Sequence, residues 1–214
     1  MPQRSMPEIL TEGFHRFRKD LFPRQHDLYE ALAEKGQAPH TLVIACCDSR
    51  VAPSQVFDAQ PGELFVVRNV ANIVPPYEPD QHAHGVSAAI EFAVKVLEVD
   101  NILVLGHRQC GGVKACVTEE PNSDFIFINQ WIEPIRGALQ EAQTDRPVGG
   151  EDAVAERLEL HSIRHSLRRL MDYPFVAAPA RVGKLKLHGA RFGIAEGALE
   201  WLTLDDEFAP VPSP

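Results

Sequence analysis

Apolar positions divide the chain into a helical beginning, a middle where buried strands alternate with helices, and a mixed end. Across residues 6–36, Ile9, Leu10, Phe14 and Phe17, then Leu28 and Leu32, recur at helical spacing with an interruption at Pro23. That pattern predicts two helical segments forming a packing arm. Thr41-Leu-Val-Ile-Ala follows as a short, partly β-branched apolar run without alternation, the mark of a strand buried on both faces. Residues 63–67 and 101–105 have the same character. Between them, SAAIEFAVKVLEV (87–99) is helical in period and free of Gly and Pro. Strand, helix, strand at this spacing is a βαβ unit, so a parallel sheet is expected. Helices are predicted at 111–117, 125–142 and 151–171, the last two separated by the turn-rich stretch 144–150. Strands are predicted at 184–188 and 198–204, ahead of a frayed tail ending Pro210-Val-Pro-Ser-Pro. Without an internal repeat, low-complexity block or linker, the expectation is one domain: a helical arm (1–36), an α/β core (37–204) and a tail (205–214).

Composition narrows the classes. A chain of 214 residues, 44% hydrophobic and 24% charged, excludes a disordered, collagen-like or disulfide-stapled protein. Apolar runs such as 102–105 are far too short to span a bilayer, and the opening MPQRSMPEILTEGF lacks the apolar core of a secretory signal. No membrane association and a cytoplasmic location are expected. A net charge of −9 offers no basic surface for nucleic acid. The four cysteines, Cys46, Cys47, Cys110 and Cys116, then read as reduced thiols, suited to metal ligation or catalysis rather than disulfides.

The chemistry-bearing residues cluster at two predicted strand ends. One strand runs into Cys46-Cys47-Asp48-Ser49-Arg50, another into Gly106-His107-Arg108-Gln109-Cys110-Gly111-Gly112. In an open parallel sheet, ligand sites form at carboxyl ends of strands where the strand order reverses, so the two clusters can share one crevice. His107 and Cys110, three residues apart, can chelate one ion, and one cysteine from the other strand end completes a Cys–His–Cys set. That donor set selects zinc, and three ligands with an open fourth position describe a catalytic site. Adjacent residues on an extended chain point opposite ways. Cys46 shares its side with Asp48 and Arg50, which favours it as the ligand and leaves Cys47 as a small packing residue. Cys116 reads as core or helix surface. Arg50 can hold the Asp48 carboxylate bidentately, keep it ionised and keep it off the metal. His82 and His84 could relay protons but read as well as solvated loop residues. His161, His165 and His188 are assigned nothing.

CCDSR, PGELFVVRNVANIVPP, AAIEFAVKVLEV and GHRQCGG resemble the β-class carbonic anhydrases, over residues 37–116 and more weakly over 183–193. The resemblance implies an α/β fold with a mostly parallel central β-sheet flanked by helices, and an N-terminal helical arm that wraps a partner subunit in a homodimer or dimer of dimers. It implies one Zn2+ per subunit on Cys46, His107 and Cys110, with Asp48 and Arg50 as the catalytic dyad. The implied reaction is reversible hydration of CO2 to bicarbonate and a proton by zinc-bound hydroxide. Gln37 and Phe65 match substrate-pocket positions contributed by opposite subunits; without the resemblance, Phe65 reads equally as a core aromatic. Phe92 replaces a tyrosine common in relatives. A regulatory bicarbonate site known in one subgroup would need tryptophan, arginine and tyrosine where this chain has Val43, Arg68 and Phe192, so the non-allosteric, open-site type is expected.

Two rivals remain at this stage. A hydrolase for carbonyl sulfide or carbon disulfide would use the same zinc motifs. A non-catalytic zinc module would need a fourth ligand and no Asp48–Arg50 pair. A phosphatase-like C-x5-R loop and a dinucleotide-binding G-x-G-x-x-G turn are both missing where they would be required.

Overall fold

A computed structural model describes residues 7–80, 82–117, 124–144 and 150–212, in two units, Met1–Ala38 and Pro39–Pro214. Most of the stretch read as a turn between the two long helices, and the last two residues of the tail, lie outside the described residues.

The first unit is helical. Helix α1 (Glu8–Arg16) passes through a π-helical turn at Phe17–Leu21 into α2 (Phe22–Lys35), which ends at Gly36 with φ of 80°. Pro23 lies in the first turn of α2, where its missing N–H costs nothing. The interruption expected at Pro23 is therefore the widened turn just before it. No residue of α1 or α2 is buried, and Ile9, Leu10 and Phe14 are 73%, 60% and 57% exposed.

The second unit is built on a six-stranded sheet of order β2-β1-β3-β4-β5-β6, comprising β1 (Thr41–Cys46), β2 (Leu64–Asn69), β3 (Asn101–His107), β4 (Lys186–Gly193), β5 (Ala198–Leu202) and β6 (Phe208–Pro210). β2, β1, β3 and β4 are parallel, and β5 and β6 add antiparallel strands at one edge. The continuous apolar run of β1 has the expected cause. Leu42 and Ile44 join one buried cluster with Ile102, Val104, Ile90 and Ile163, while Val43 and Ala45 join another with Leu103, Leu105 and Ala190. Fully burying a side chain of this size contributes about 1.5–3 kcal/mol, which the strand collects on both faces.

Helix α4 (Gly85–Lys95) carries the chain from β2 over β1 to β3. The chain thus leaves β1 toward β2 on one side and returns as β3 on the other, so the strand order reverses between the carboxyl ends of β1 and β3. Short α3 (Pro53–Val56) follows β1, and α5 (Gly111–Val117), α6 (Ile128–Thr144), α7 (Gly150–Leu170) and α8 (Pro174–Arg181) lie between β3 and β4. Gly106 and Gly189 let α7 lie close: a Cβ at either would come within 2.8 Å of Ile163.

Three elements depart from the sequence reading. α8 was not foreseen because Pro174 and Pro179 mask it, although Pro174 occupies the first turn, where proline is favoured. α3 is a single proline-started turn. The tail read as frayed contains β6, where Phe208 pairs with Leu202 and lies under the Arg164 guanidinium at 5.0 Å.

Candidate active site

At the reversal point, β1 delivers Cys46 as its last residue and β3 delivers His107 as its last; a tight turn then brings back Cys110. The turn requires Gln109 at φ of 57°, a left-handed conformation that costs a non-glycine residue energy. The three side chains are 6%, 1% and 2% exposed, and their donor atoms lie within 4.8 Å of one another. Cys46 Sγ and Cys110 Sγ are 3.9 Å apart, and all four cysteines are free thiols.

The donor set passes a direct test for zinc. Two thiolates at ~2.3 Å from a tetrahedral ion stand about 3.8 Å apart, close to the observed sulfur separation. His107 Nδ1 donates to the Arg108 carbonyl at 3.0 Å, which fixes the tautomer and leaves Nε2 as the free acceptor. Nε2 is buried with no hydrogen-bond partner, a costly state unless a ligand completes it.

The electrostatics favour a cation. The hydrogen bond with Cys110, then contact with His107 and the backbone N–H groups of Asp48 and Ala71, lower the Cys46 thiol to about 4 against the opposing effect of burial. Cys110 is pushed up by its hydrogen bond with Cys46 and by burial, so of the two thiols Cys46 ionises first. Burial alone would depress His107; the Cys46 thiolate, the Arg108 carbonyl and the Asp48 carboxylate outweigh it and raise its pKa. Ala71 and Asn72 beside this cluster are left-handed, at φ of 64° and 48°.

Asp48 and Arg50 form a fork-to-fork pair. Arg50 Nε donates to Oδ1 at 2.9 Å and Nη2 to Oδ2 at 2.7 Å, while the Arg50 backbone N–H also reaches Oδ1 at 3.0 Å. Arg50 Nη2 additionally meets the Gln109 carbonyl at 3.3 Å, tying the two loops together. The Arg50 guanidinium holds the Asp48 carboxyl well below the usual carboxylate range. Asp48 Oδ2 stands 3.8 Å from His107 Nε2, too far for a hydrogen bond but beside the cluster.

The supporting roles of several residues escaped the sequence reading. Arg68 spends its guanidinium on backbone carbonyls, with Nε on Cys46 at 2.9 Å and Nη2 on Asp48 and Val51 at 2.7 and 2.9 Å. It clamps the ligand loop. The Asn69 amide closes the next turn by bonding both Ile73 N–H and C=O, at 2.8 and 3.0 Å. On the other side, buried Glu159 of α7 accepts the Cys110 N–H at 3.2 Å and is held by buried Arg191 at 3.3 Å, which also donates to Glu200 at 2.7 Å. An acidic residue on a helix predicted from periodicity gave no signal of this. Orienting partners of this kind typically change metal affinity by about 10–100-fold. Glu159→Ala is therefore expected to release zinc to a chelating dye about 10–100 times faster than the parent, with Glu159→Gln, which keeps an acceptor oxygen, recovering most of the difference.

Not every predicted residue reaches this cluster. Phe65 pairs in register with Leu42, four positions from the Cys46–Asn69 pair, or about 13 Å along the strand. Its ring stacks on Phe92 at 5.8 Å and packs against the core. Gln37 belongs to the helical unit. Cys47 corrects the packing expectation: it is exposed and lines a cavity of about 950 Å3 with Asn69, Ile73 and Trp131, because β1 ends at Cys46 and the next residue leaves the sheet. Cys116 is core, and burial pushes its thiol up to about 11.

Comparison with known proteins places the chain by sequence and fold. The family model described as carbonic anhydrase matches residues 41–199. β-Carbonic anhydrase 5 (chloroplastic) of Arabidopsis thaliana is 40% identical over 197 residues, covering 92% of this chain and 64% of that protein. The chain thus spans a little under two thirds of that relative's length. β-Carbonic anhydrase 3 of the same plant is 38% identical over 207 residues, covering 95% and 79%. Among solved structures, the β-carbonic anhydrase CcaA superposes with a TM-score of 0.86 at 32% identity, covering 96% of this chain and 92% of that one. By sequence, fold and the residues gathered at its strand ends, the chain belongs to the β-class carbonic anhydrases.

Proposed function

We propose that this chain catalyses the reversible hydration of CO2 to bicarbonate and a proton, with one Zn2+ held by Cys46, His107 and Cys110. The observation that carries the reading is a buried Cys–His–Cys set, its imidazole Nε2 unpartnered, beside a carboxylate locked by an arginine. When bound, zinc supplies a Lewis acid that makes water acidic enough to act as nucleophile near neutral pH, less strongly here than with three neutral ligands because two thiolates offset its charge.

The protein's residues do the rest. Asp48, kept ionised by Arg50, accepts a hydrogen bond from the attacking water and turns its lone pair toward the carbon of CO2. With both oxygens engaged by Arg50, Asp48 would be kept from ligating the metal. Arg68 holds the segment after Cys46 and Glu159 holds the turn at Cys110, so both ligand-bearing segments would be positioned for the metal. Gln37 and Phe65 are assigned to the substrate pocket on the family resemblance; the distance of Phe65 from its own chain's cluster supports a contribution across a subunit interface. Thiolate ligation needs reduced cysteines, which supports a reducing compartment such as the cytoplasm. No helix among the described residues is long and apolar enough to cross a membrane.

The test is stopped-flow CO2 hydration on protein of measured zinc content. One zinc per chain with hydration rising between about pH 7 and 9 is expected. Stoichiometric zinc without hydration anywhere in that range overturns the reading.

Self-association belongs to the same proposal. The apolar stripe Ile9, Leu10 and Phe14 lies uncovered on α1, and a second copy is the partner that would bury it in a homodimer or a dimer of dimers. Leu10→Asp with Phe14→Asp is expected to shift the sedimentation coefficient from that of an oligomer to that of a monomer. An unchanged oligomer would remove the arm from the interface.

A further inference from the structure

The sequence PDQHAHG (79–85), which runs into the start of α4, carries a second cluster of ligating side chains that shares no residue with the Cys46–His107–Cys110 set. Asp80, His82 and His84 place one carboxylate oxygen and one nitrogen from each imidazole within 4.8 Å of one another. Asp80 is the hinge of the cluster. Its Oδ2 meets His82 Nδ1 at 2.9 Å, and its Oδ1 meets His84 Nε2 at 2.6 Å and the His82 backbone N–H at 2.8 Å. Both imidazoles therefore turn onto one carboxylate from opposite oxygens. A cation placed among the three donors would replace two hydrogen bonds with three coordinate bonds.

The surroundings suit a cation. A cavity of about 290 Å3 beside the cluster is lined by all three residues together with Glu78 and Glu91, and the Lys95 ammonium that also lines it is paired with Glu91 at 2.6 Å. There is room for the waters that a three-ligand site needs to complete coordination. His84 and Asp80 are partly covered, at 32% and 43% side-chain exposure, while His82 is open at 85%. His84 is the residue that precedes the first turn of α4, so one ligand is anchored to a helix and the other two lie on the loop.

We propose that Asp80, His82 and His84 bind a second divalent transition-metal ion, independently of the Cys46–His107–Cys110 set. Two imidazoles and a carboxylate are a borderline donor set, which takes Ni2+, Co2+, Cu2+ or Zn2+ and rejects Mg2+ and Ca2+. With three ligands on five consecutive residues, part of the binding energy goes into ordering the loop, so the site is weaker than the buried one and exchanges its ion readily. The asymmetry of exposure makes His84 and Asp80 the anchoring ligands and His82 the one that closes over the ion.

The experiment is calorimetric titration of Ni2+ into tag-free, zinc-loaded protein. The parent is expected to bind one additional equivalent of Ni2+ per chain. His82→Ala with His84→Ala should abolish that event, and Asp80→Asn should weaken it by at least about tenfold, while each variant still carries its one zinc per chain as proof of folding. Cys46→Ser, titrated without added zinc, should retain the Ni2+ event, which separates this site from the proposed active site. A His26→Ala variant controls for the exposed group His26, Asp27 and Glu30. The proposal is overturned if the parent binds no additional Ni2+, if the double histidine variant binds it as the parent does, or if only His26→Ala removes it.

Discussion

Cys46→Ser is expected to emerge from expression with zinc far below one equivalent per chain and CO2 hydration at the uncatalysed rate. The expectation rests on where the residue stands. Cys46 terminates a central strand, is 6% exposed, and has its thiol lowered to about 4 by Cys110, His107 and two backbone N–H groups. A serine hydroxyl stays protonated in that environment and offers zinc neither charge nor softness. Loss of a direct ligand exceeds the ~10–100-fold effect typical of a merely orienting partner. Serine is close to cysteine in volume, and melting against metal-free parent protein checks that the variant folds. Metal removal has its own signature. Cys110 is pushed up by its hydrogen bond with Cys46 and by burial, so its thiol must lose a proton to ligate, and zinc uptake at pH 7 releases protons. Calorimetry in buffers of different ionisation enthalpy reads that release. A Cys46→Ser protein holding one tight zinc per chain would remove Cys46 from the ligand set.

The parts of this site legible in the sequence are those where chemistry and chain direction coincide. The unalternating run ending at Cys46 and the one ending at Gly106-His107 announce buried parallel strands, and residues at their carboxyl ends have only one crevice to enter. Cys46 could be chosen as the strand-end ligand from the sequence, whereas Asp48 and Arg50 lie beyond the strand and meet in the turn that follows it, where the Val51 N–H bonds the Asp48 carbonyl. What stayed hidden depends on contacts between distant segments. Glu159 lies forty-nine positions from Cys110, on a helix whose periodicity says which residues are buried but not that one of them is a carboxylate facing a ligand's N–H. Arg68 was noticed in RNVAN, but nothing local reveals that its donors are spent on three carbonyls of another loop. Cys47 was misread because alternation was carried one residue beyond the strand's end. α8 was lost to its two prolines, and β6 to the assumption that a proline-rich tail cannot pair at a sheet edge.

Asp48→Asn and Arg50→Ala are expected to retain one zinc per chain while lowering kcat by about 10²–10⁴-fold, the range for a positioned proton acceptor. The two losses have different causes, and pH separates them. The folded Asp48 pKa is depressed, so its pairing stabilises the protein at every pH above the ordinary carboxylate value and is lost only as pH falls through the lowered one. Asp48 is thus ionised throughout the working range, and no activity limb between about pH 5 and 9 is its titration. Removing Arg50 lets the carboxyl return toward its ordinary value, still below the working range, so Arg50→Ala keeps the charge and loses the hold on its position. A carboxylate 3.8 Å from His107 Nε2 and no longer forked is free to move onto the metal. Arg50→Ala should therefore stay impaired as pH is raised to 9, and Arg50→Lys, with a single donor in place of a fork, should recover only part of the rate. Asp48→Asn presents an amide whose N–H2 would meet the Arg50 guanidinium or the attacking water as a donor, so it fails by losing an acceptor. Within-twofold kcat in Asp48→Asn would show that the water is oriented by another group, and a full return of Arg50→Ala at high pH would mean that Arg50 acts on protonation rather than on position.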